Sequence, residues 1–271
     1  MPLSRNLVNA LFSASVLLFA AATFLPGHDS NGPVLDAAVA FATPTTGIVR
    51  TAEAMTPRNE LALHTQRALE VFASAVRPLS HANALESAFK SYFAYKTAHP
   101  ADVRKPYLYF VDYGLPSTTP RGYVFDMDAL TIIDGPFTVA HGRGSSTSQF
   151  GVPTRFSNAP GSAATSLGLY LAQATYAFRG HSGGGTYNSI GVRLRGVSAG
   201  FNDLANQRGV VTHGAPYVTP TRAGRSEGCP AMEQSRAERL LPRIAQGGMV
   251  FLFAPDEHWL SRDPWISSNG G

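Results

Sequence analysis

Chemistry in this chain centres on one thiol and one imidazole. Cys229 is the only cysteine in 271 residues, and His213 lies sixteen positions upstream at the end of the β-branched run Val210-Val211-Thr212. A thiol becomes a strong nucleophile when a neighbouring base takes its proton, so the pair reads as nucleophile and base for acyl transfer. Cys229 stands between Gly228 and Pro230, two residues with special backbone geometry, after the polar approach Arg225-Ser226-Glu227. Gly214, directly after His213, lets a substrate or the cysteine loop come close to the backbone. Two plainer readings stay open at this level: a buried small residue for Cys229, and a hydrogen-bonded structural histidine for His213. A zinc site built from His141, His213 and Cys229 is the functional rival, but no short Cys/His ligand pair supports it. The expectation is no metal and no cofactor.

The elements that must position these residues change character along the chain. Arg5 precedes an apolar run to Leu25 and then Pro26-Gly27, which predicts a signal peptide or membrane anchor over 1–27 and hence an exported protein. An Ala-, Thr-, Gly- and Pro-rich linker follows over 28–56. Residues 57–100 read as a helical segment. Its first helix carries Leu61, Leu69, Phe72 and Val76 and closes near Pro78; its second is capped by Ser80 and ends before Pro100. From residue 101 to about 260 short strands dominate: 107–113, 122–126, 130–133, 137–142, 167–178, 190–196, 209–213 and 249–253. A late helix lies over 233–244, ended or kinked by Pro242, and a tail over 261–271. This pattern predicts a mainly β sandwich or barrel-like domain with two N-terminal helices and one late helix. The strand at 167–178 should break at His181-Ser182-Gly183-Gly184-Gly185.

Composition narrows the partners. Hydrophobic content of 44%, charged content of 15% and a net charge of +4 fit a globular protein. No Lys/Arg run or basic–aromatic stripe points to nucleic acid. A mildly basic exported protein is drawn to anionic polymers such as a cell wall.

The ordered blocks Lys105-Pro106-Tyr107, Asp112-Tyr113, Val139-Ala140-His141-Gly142-Arg143-Gly144, Phe156-Ser157-Asn158, Gly200-Phe201-Asn202-Asp203, Val211-Thr212-His213-Gly214 and Arg225-Ser226-Glu227-Gly228-Cys229-Pro230 resemble the murein L,D-transpeptidase catalytic-domain family, relatives of the YkuD-type cysteine transpeptidases. The resemblance covers roughly residues 80–256. It departs from the broader signature at Glu227, where that signature has a second histidine, and at Ala231, where it has a polar residue. The resemblance implies a YkuD-like catalytic domain acting on peptidoglycan stem peptides. Cys229 would form a thioester with the third stem residue, His213 would act as base, and the Gly228 and Cys229 amides would hold the oxyanion. Ser226 would support the loop, while Arg225 and His141 would be candidate substrate contacts. The same residues would serve an L,D-carboxypeptidase, with water resolving the thioester. A non-catalytic wall-binding protein is the third reading.

Overall fold

The computed structural model describes residues 56–267. The expected signal or anchor over 1–27 and nearly all of the expected linker lie outside the described residues. Among the described residues no helix is long and apolar enough to cross a membrane.

Helix α1 (Pro57–Phe72) starts where Pro57 supplies a ready-made first-turn φ and Thr56 accepts from the Asn59 N–H. Its buried stripe is Thr65, Ala68 and Phe72. Phe72 meets Phe125 at 4.7 Å and Phe89 at 5.6 Å. Burying one such ring contributes about 1.5–3 kcal/mol, more than the roughly 1 kcal/mol of the Thr56 cap, so packing decides where α1 lies. Helix α2 (Ala84–Ala98) begins later than the Ser80 cap predicted. Ser80 is engaged elsewhere: its N–H and Oγ both donate to the Asp112 carboxylate, at 2.7 and 2.5 Å. A buried carboxylate outcompetes a helix terminus for these donors, because leaving it unsatisfied would cost more.

The strands are β1 (Tyr107–Asp112), β2 (Gly122–Asp126), β3 (Thr131–Phe137), β4 (His141–Gly142), β5 (Gly168–Ser182), β6 (Gly185–Gly196), β7 (Val211–Gly214), β8 (Val218–Thr219), β9 (Arg222–Ala223), β10 (Arg225–Ser226), β11 (Ala231–Met232) and β12 (Met249–Phe253). Helix α3 (Gln234–Ile244) and the short α4 (Glu257–Leu260) and α5 (Pro264–Ser267) complete the chain. The mainly β expectation with two N-terminal helices and one late helix holds. Eight strands form one mixed sheet in the order β11-β7-β6-β5-β12-β1-β2-β3, and β10–β4 and β8–β9 form two small pairs. All five residues of β12 are buried, as a central strand covered on both faces requires. Pro242 sits inside α3 without ending it: buried Leu240, Leu241 and Ile244 hold the last turn against the core.

The β5–β6 hairpin runs further than its sequence indicates. Pairing continues to Ser182↔Gly185, closed by Gly183 and Gly184 with φ of +57° and +80°. Two consecutive left-handed residues match the right-handed twist of a two-residue hairpin, so the glycines extend the ladder instead of interrupting it. Residues 261–267 also pack onto the domain. The Lys90 ammonium reaches the Ile266 carbonyl at 2.6 Å, and the Trp265 indole N–H reaches the Val197 carbonyl at 2.7 Å.

Candidate active site

Strand β7 is buried throughout and lies between β6 and β11. The chain leaves β7 at Gly214, travels through β8, β9 and β10, and returns as β11, parallel to β7 with Ala231 opposite His213. Two residues before β11, Cys229 lies in the loop that enters it, with its thiol against the Val211 backbone of β7. Thr212 Oγ1 ties the return by donating to the Pro230 carbonyl at 3.0 Å. The parallel pairing thus brings the loop that carries Cys229 back beside the strand that carries His213. Among the described residues no hydrogen bond joins the thiol and the ring. In free enzymes such contacts are commonly loose and tighten when substrate arrives.

The cysteine loop is anchored at its other end by β10, whose Arg225 and Ser226 pair with His141 and Gly142 of β4. Between the anchors, Ser226 Oγ accepts from the Gly228 N–H at 3.1 Å and donates to the Cys229 carbonyl at 2.7 Å. Ser226 therefore shapes the turn that presents the sulfur. This changes the expected oxyanion donors: the Gly228 amide is already engaged, which leaves the Cys229 amide as the loop's available donor. Gly228 has φ of +123°, and a Cβ there would lie 2.8 Å from the Ala164 carbonyl oxygen. Both the backbone conformation and the approach of the 164–165 segment require glycine. Gly228→Ala is expected to cost about 1–3 kcal/mol of stability and to reduce any Cys229-dependent activity at least tenfold, checked by calorimetry and by turnover of the same preparation.

His213 is nearly fully buried, with its ring stacked on Phe178 of β5 at 4.1 Å and 20°. Its Nδ1 lies 3.0 Å from the Gly214 carbonyl. A carbonyl only accepts, so Nδ1 carries the proton and Nε2 keeps the lone pair. Burial lowers the His213 pKa to about 4, against a smaller upward pull from the Gly214 carbonyl. Burial raises the Cys229 thiol pKa; the Val211 backbone and the Arg208 charge lower it, and Glu227 raises it further. The residue keeps some exposed surface while its sulfur is desolvated. At neutral pH these shifts leave Cys229 a thiol and His213 a neutral imidazole.

Three predicted contacts take different roles. His141 is completely buried, and its Nδ1 is bound by Arg121 Nη2 at 2.9 Å. It therefore lines no cleft and braces β4 under the cysteine loop instead. Burial first, then Arg121 and Arg225, lower its pKa to about 3. That cationic partner also removes it from the zinc alternative, and among the described residues no group of three His, Cys, Asp or Glu side chains gathers as a metal site. Gly214 is packed under Ser189, Gln234 and Ala237, so helix α3 occupies the space expected for substrate. Arg225 is exposed, forms no ion pair among the described residues, and donates to the Ser146 carbonyl at 3.1 Å. Glu227 points outward and pairs with exposed Arg143 at 2.7 Å, a contact that adds little stability in water.

Sequence reasoning gave no role to Phe178, Arg208 and Arg121. Phe178 is half-buried on the exposed arm of the hairpin, and only its alternation with Tyr176 and Gly180 marks a shared face. Arg208 binds the carbonyls of Ala164 at 2.7 Å and Ser157 at 2.8 Å, holding that segment behind Gly228. Arg121 is fully buried and has no carboxylate partner among the described residues. It donates to the Val139 carbonyl and lies over the Tyr113 ring at 4.7 Å.

The two buried histidines make acid stability testable. Each has a native pKa below its unfolded value, so its contribution is complete above about pH 6.5 and is lost as pH falls toward the native value. Unfolding free energy is expected to drop between pH 6.5 and 5, by up to about 1.4 kcal/mol per unit for each histidine. Burial raises the pKa values of Asp112 and Asp263, so at lower pH these carboxyls pull the other way. Urea denaturation across this range, with His141→Gln flattening the slope, is the check.

Residues 78–253 match the family model YkuD_2, the L,D-transpeptidase catalytic domain. No curated protein matches. Among solved structures, an Ldtfm–avibactam carbamoyl enzyme is 13% identical over 56% of this chain and 50% of its own, with a TM-score of 0.35. An L,D-transpeptidase from Mycobacterium smegmatis is 13% identical over 55% and 59%, TM-score 0.33. One from Xylanimonas cellulosilytica is 14% identical over 71% and 92%, TM-score 0.33. The chain thus spans only 50% and 59% of the first two structures, and at these TM-scores the overlaps add nothing to the family match.

Proposed function

The chain belongs to the L,D-transpeptidase catalytic-domain family, and from that premise we propose that it is an exported cysteine acyltransferase acting on peptidoglycan stem peptides. The observation that supports this most is the β11–β7 register, which sets the Cys229 loop beside the His213 strand.

In the proposed cycle, Nε2 of His213 takes the thiol proton as the sulfur adds to the carbonyl of the third stem residue. The oxyanion is met by the Cys229 N–H. The C–N bond to the terminal D-residue then breaks, and its amine leaves with the proton from the imidazolium. An amine of a second stem attacks the thioester and gives its proton to Nε2. The C–S bond breaks, and the thiol recovers that proton. Burial of His213 favours this sequence over a standing thiolate–imidazolium pair, because a charged ring under Phe178 would be poorly solvated. The hairpin face beside the site carries Tyr176 and Phe178, with Tyr187 meeting Tyr217 edge to face at 6.3 Å. In this reading the rings would shield the thioester from water and favour an amine acceptor over hydrolysis.

Incubation with purified tetrapeptide muropeptides is expected to give a cross-linked dimer, and intact-mass spectrometry an acyl adduct on Cys229. Release of the terminal residue without dimer would assign the L,D-carboxypeptidase reading. No adduct and no product would reject acyl transfer altogether.

A further inference from the structure

A cavity lies on the far side of Arg208 from the cysteine loop. It measures about 280 Å³ and is walled by Phe156, Ser157, Asn158, Phe201, Asp256 and His258. Phe156 and Phe201 are half-buried and His258 is exposed, so aromatic surface faces the opening. His258 meets the Phe201 ring edge to face at 6.0 Å. Asn158 is engaged by Asp203 and the Leu204 N–H, and the His258 Nε2 by Arg262, but two other polar groups keep unused capacity. Asp256 Oδ1 caps the Trp259 N–H at 2.9 Å, and its second oxygen has no hydrogen-bond partner among the described residues. Ser157 Oγ accepts from the Ala159 N–H at 3.1 Å and still has a hydroxyl proton to donate. Aromatic faces beside a free carboxylate oxygen and a hydroxyl suit a ring with C–H faces and equatorial hydroxyl or amide groups: a pyranose.

The position relative to the thiol is equally specific. One nitrogen of Arg208 holds the Ser157 carbonyl at the cavity wall, and the other holds the Ala164 carbonyl against Gly228. The cavity wall and the cysteine turn therefore face each other across one guanidinium. A stem peptide acylated at its third residue has three residues between the reacting carbonyl and the sugar that bears it, about 10 Å when extended. We propose that this cavity is a saccharide subsite that receives the amino sugar carrying the donor stem peptide. The inference rests on the acyl-transfer reading above and names the part of the donor that the cysteine loop does not touch. Binding energy gained there, remote from the reacting bond, would raise kcat/KM for sugar-linked donors over bare peptides.

The test uses the full chain with two donors: a free stem tetrapeptide, and the same tetrapeptide on its N-acetylated disaccharide. The wild type is expected to favour the disaccharide donor by about tenfold in kcat/KM. Phe201→Ala and His258→Ala should each remove that preference and leave turnover of the free peptide unchanged. The second variant changes an exposed side chain and so guards against misfolding in the first. Equal use of both donors by the wild type overturns the proposal, as does an equal loss on both donors in both variants. If neither donor is consumed, acyl transfer itself fails, and calorimetric titration with the disaccharide-tetrapeptide decides the cavity separately. Binding that is weakened in both variants supports the subsite; no binding, or binding unchanged by the variants, removes it.

Discussion

Cys229→Ala is expected to abolish acyl transfer, lowering turnover of a tetrapeptide donor by about 10⁴-fold or more. Nothing else in the chain can replace the nucleophile, since no second thiol exists. The fold should survive. The sulfur meets the Val211 backbone in a single weak contact, and Ser226 bonds the Cys229 carbonyl, which the substitution keeps. Thermal midpoint should therefore move by only a few degrees, while the acyl adduct disappears from the intact-mass spectrum. A variant that keeps turnover would remove Cys229 from the chemistry. A variant that unfolds would make the residue a packing element, the plainer reading of a lone buried cysteine.

His213→Gln carries the second-largest effect and has a distinctive pH signature. In the wild type the imidazole is neutral above about pH 4, so kcat/KM should be nearly level from pH 5 to 8. Glutamine fills similar space and can still donate to the Gly214 carbonyl, but it cannot accept a proton. Attack would then depend on the small fraction of thiolate present in solution equilibrium, and burial raises the thiol pKa above its ordinary value. Turnover at pH 7 should fall by about 10²–10⁴-fold and recover roughly tenfold for each unit of rising pH, the dependence of a thiolate well below its pKa. A level profile with a small loss would mean that His213 holds the strand and does not move protons.

Phe178 shapes that profile from the other side. Its ring excludes water from the imidazole, so losing it would let the His213 pKa return toward its ordinary value and move the acid limb upward. The Gly228 and acid-stability experiments probe the same architecture: one tests the turn that presents the sulfur, the other the burial that keeps both histidines neutral.

What the sequence by itself determined was chemical and local. One thiol, flanked by Gly228 and Pro230 and preceded by a histidine after a buried run, singles out Cys229 and His213 as the candidate nucleophile and base, with a buried cysteine and a structural histidine left open beside them. The amphipathic stripe of α1 and the apolar run of β12 were legible for the same reason: adjacent residues share one environment, and periodicity records it. The extent of the β5–β6 hairpin was not legible, because its outer arm is solvated and carries no strong alternation. Ser80 was misread as a cap because its real partner, Asp112, is distant in sequence. The roles of His141, Gly214 and the Gly228 amide were likewise decided only by tertiary structure. Arg121 claims one, α3 packs over the second, and Ser226 takes the third. Each outcome is a competition among hydrogen-bond or packing partners brought together by the sheet, and the order of residues along the chain does not record which partner wins.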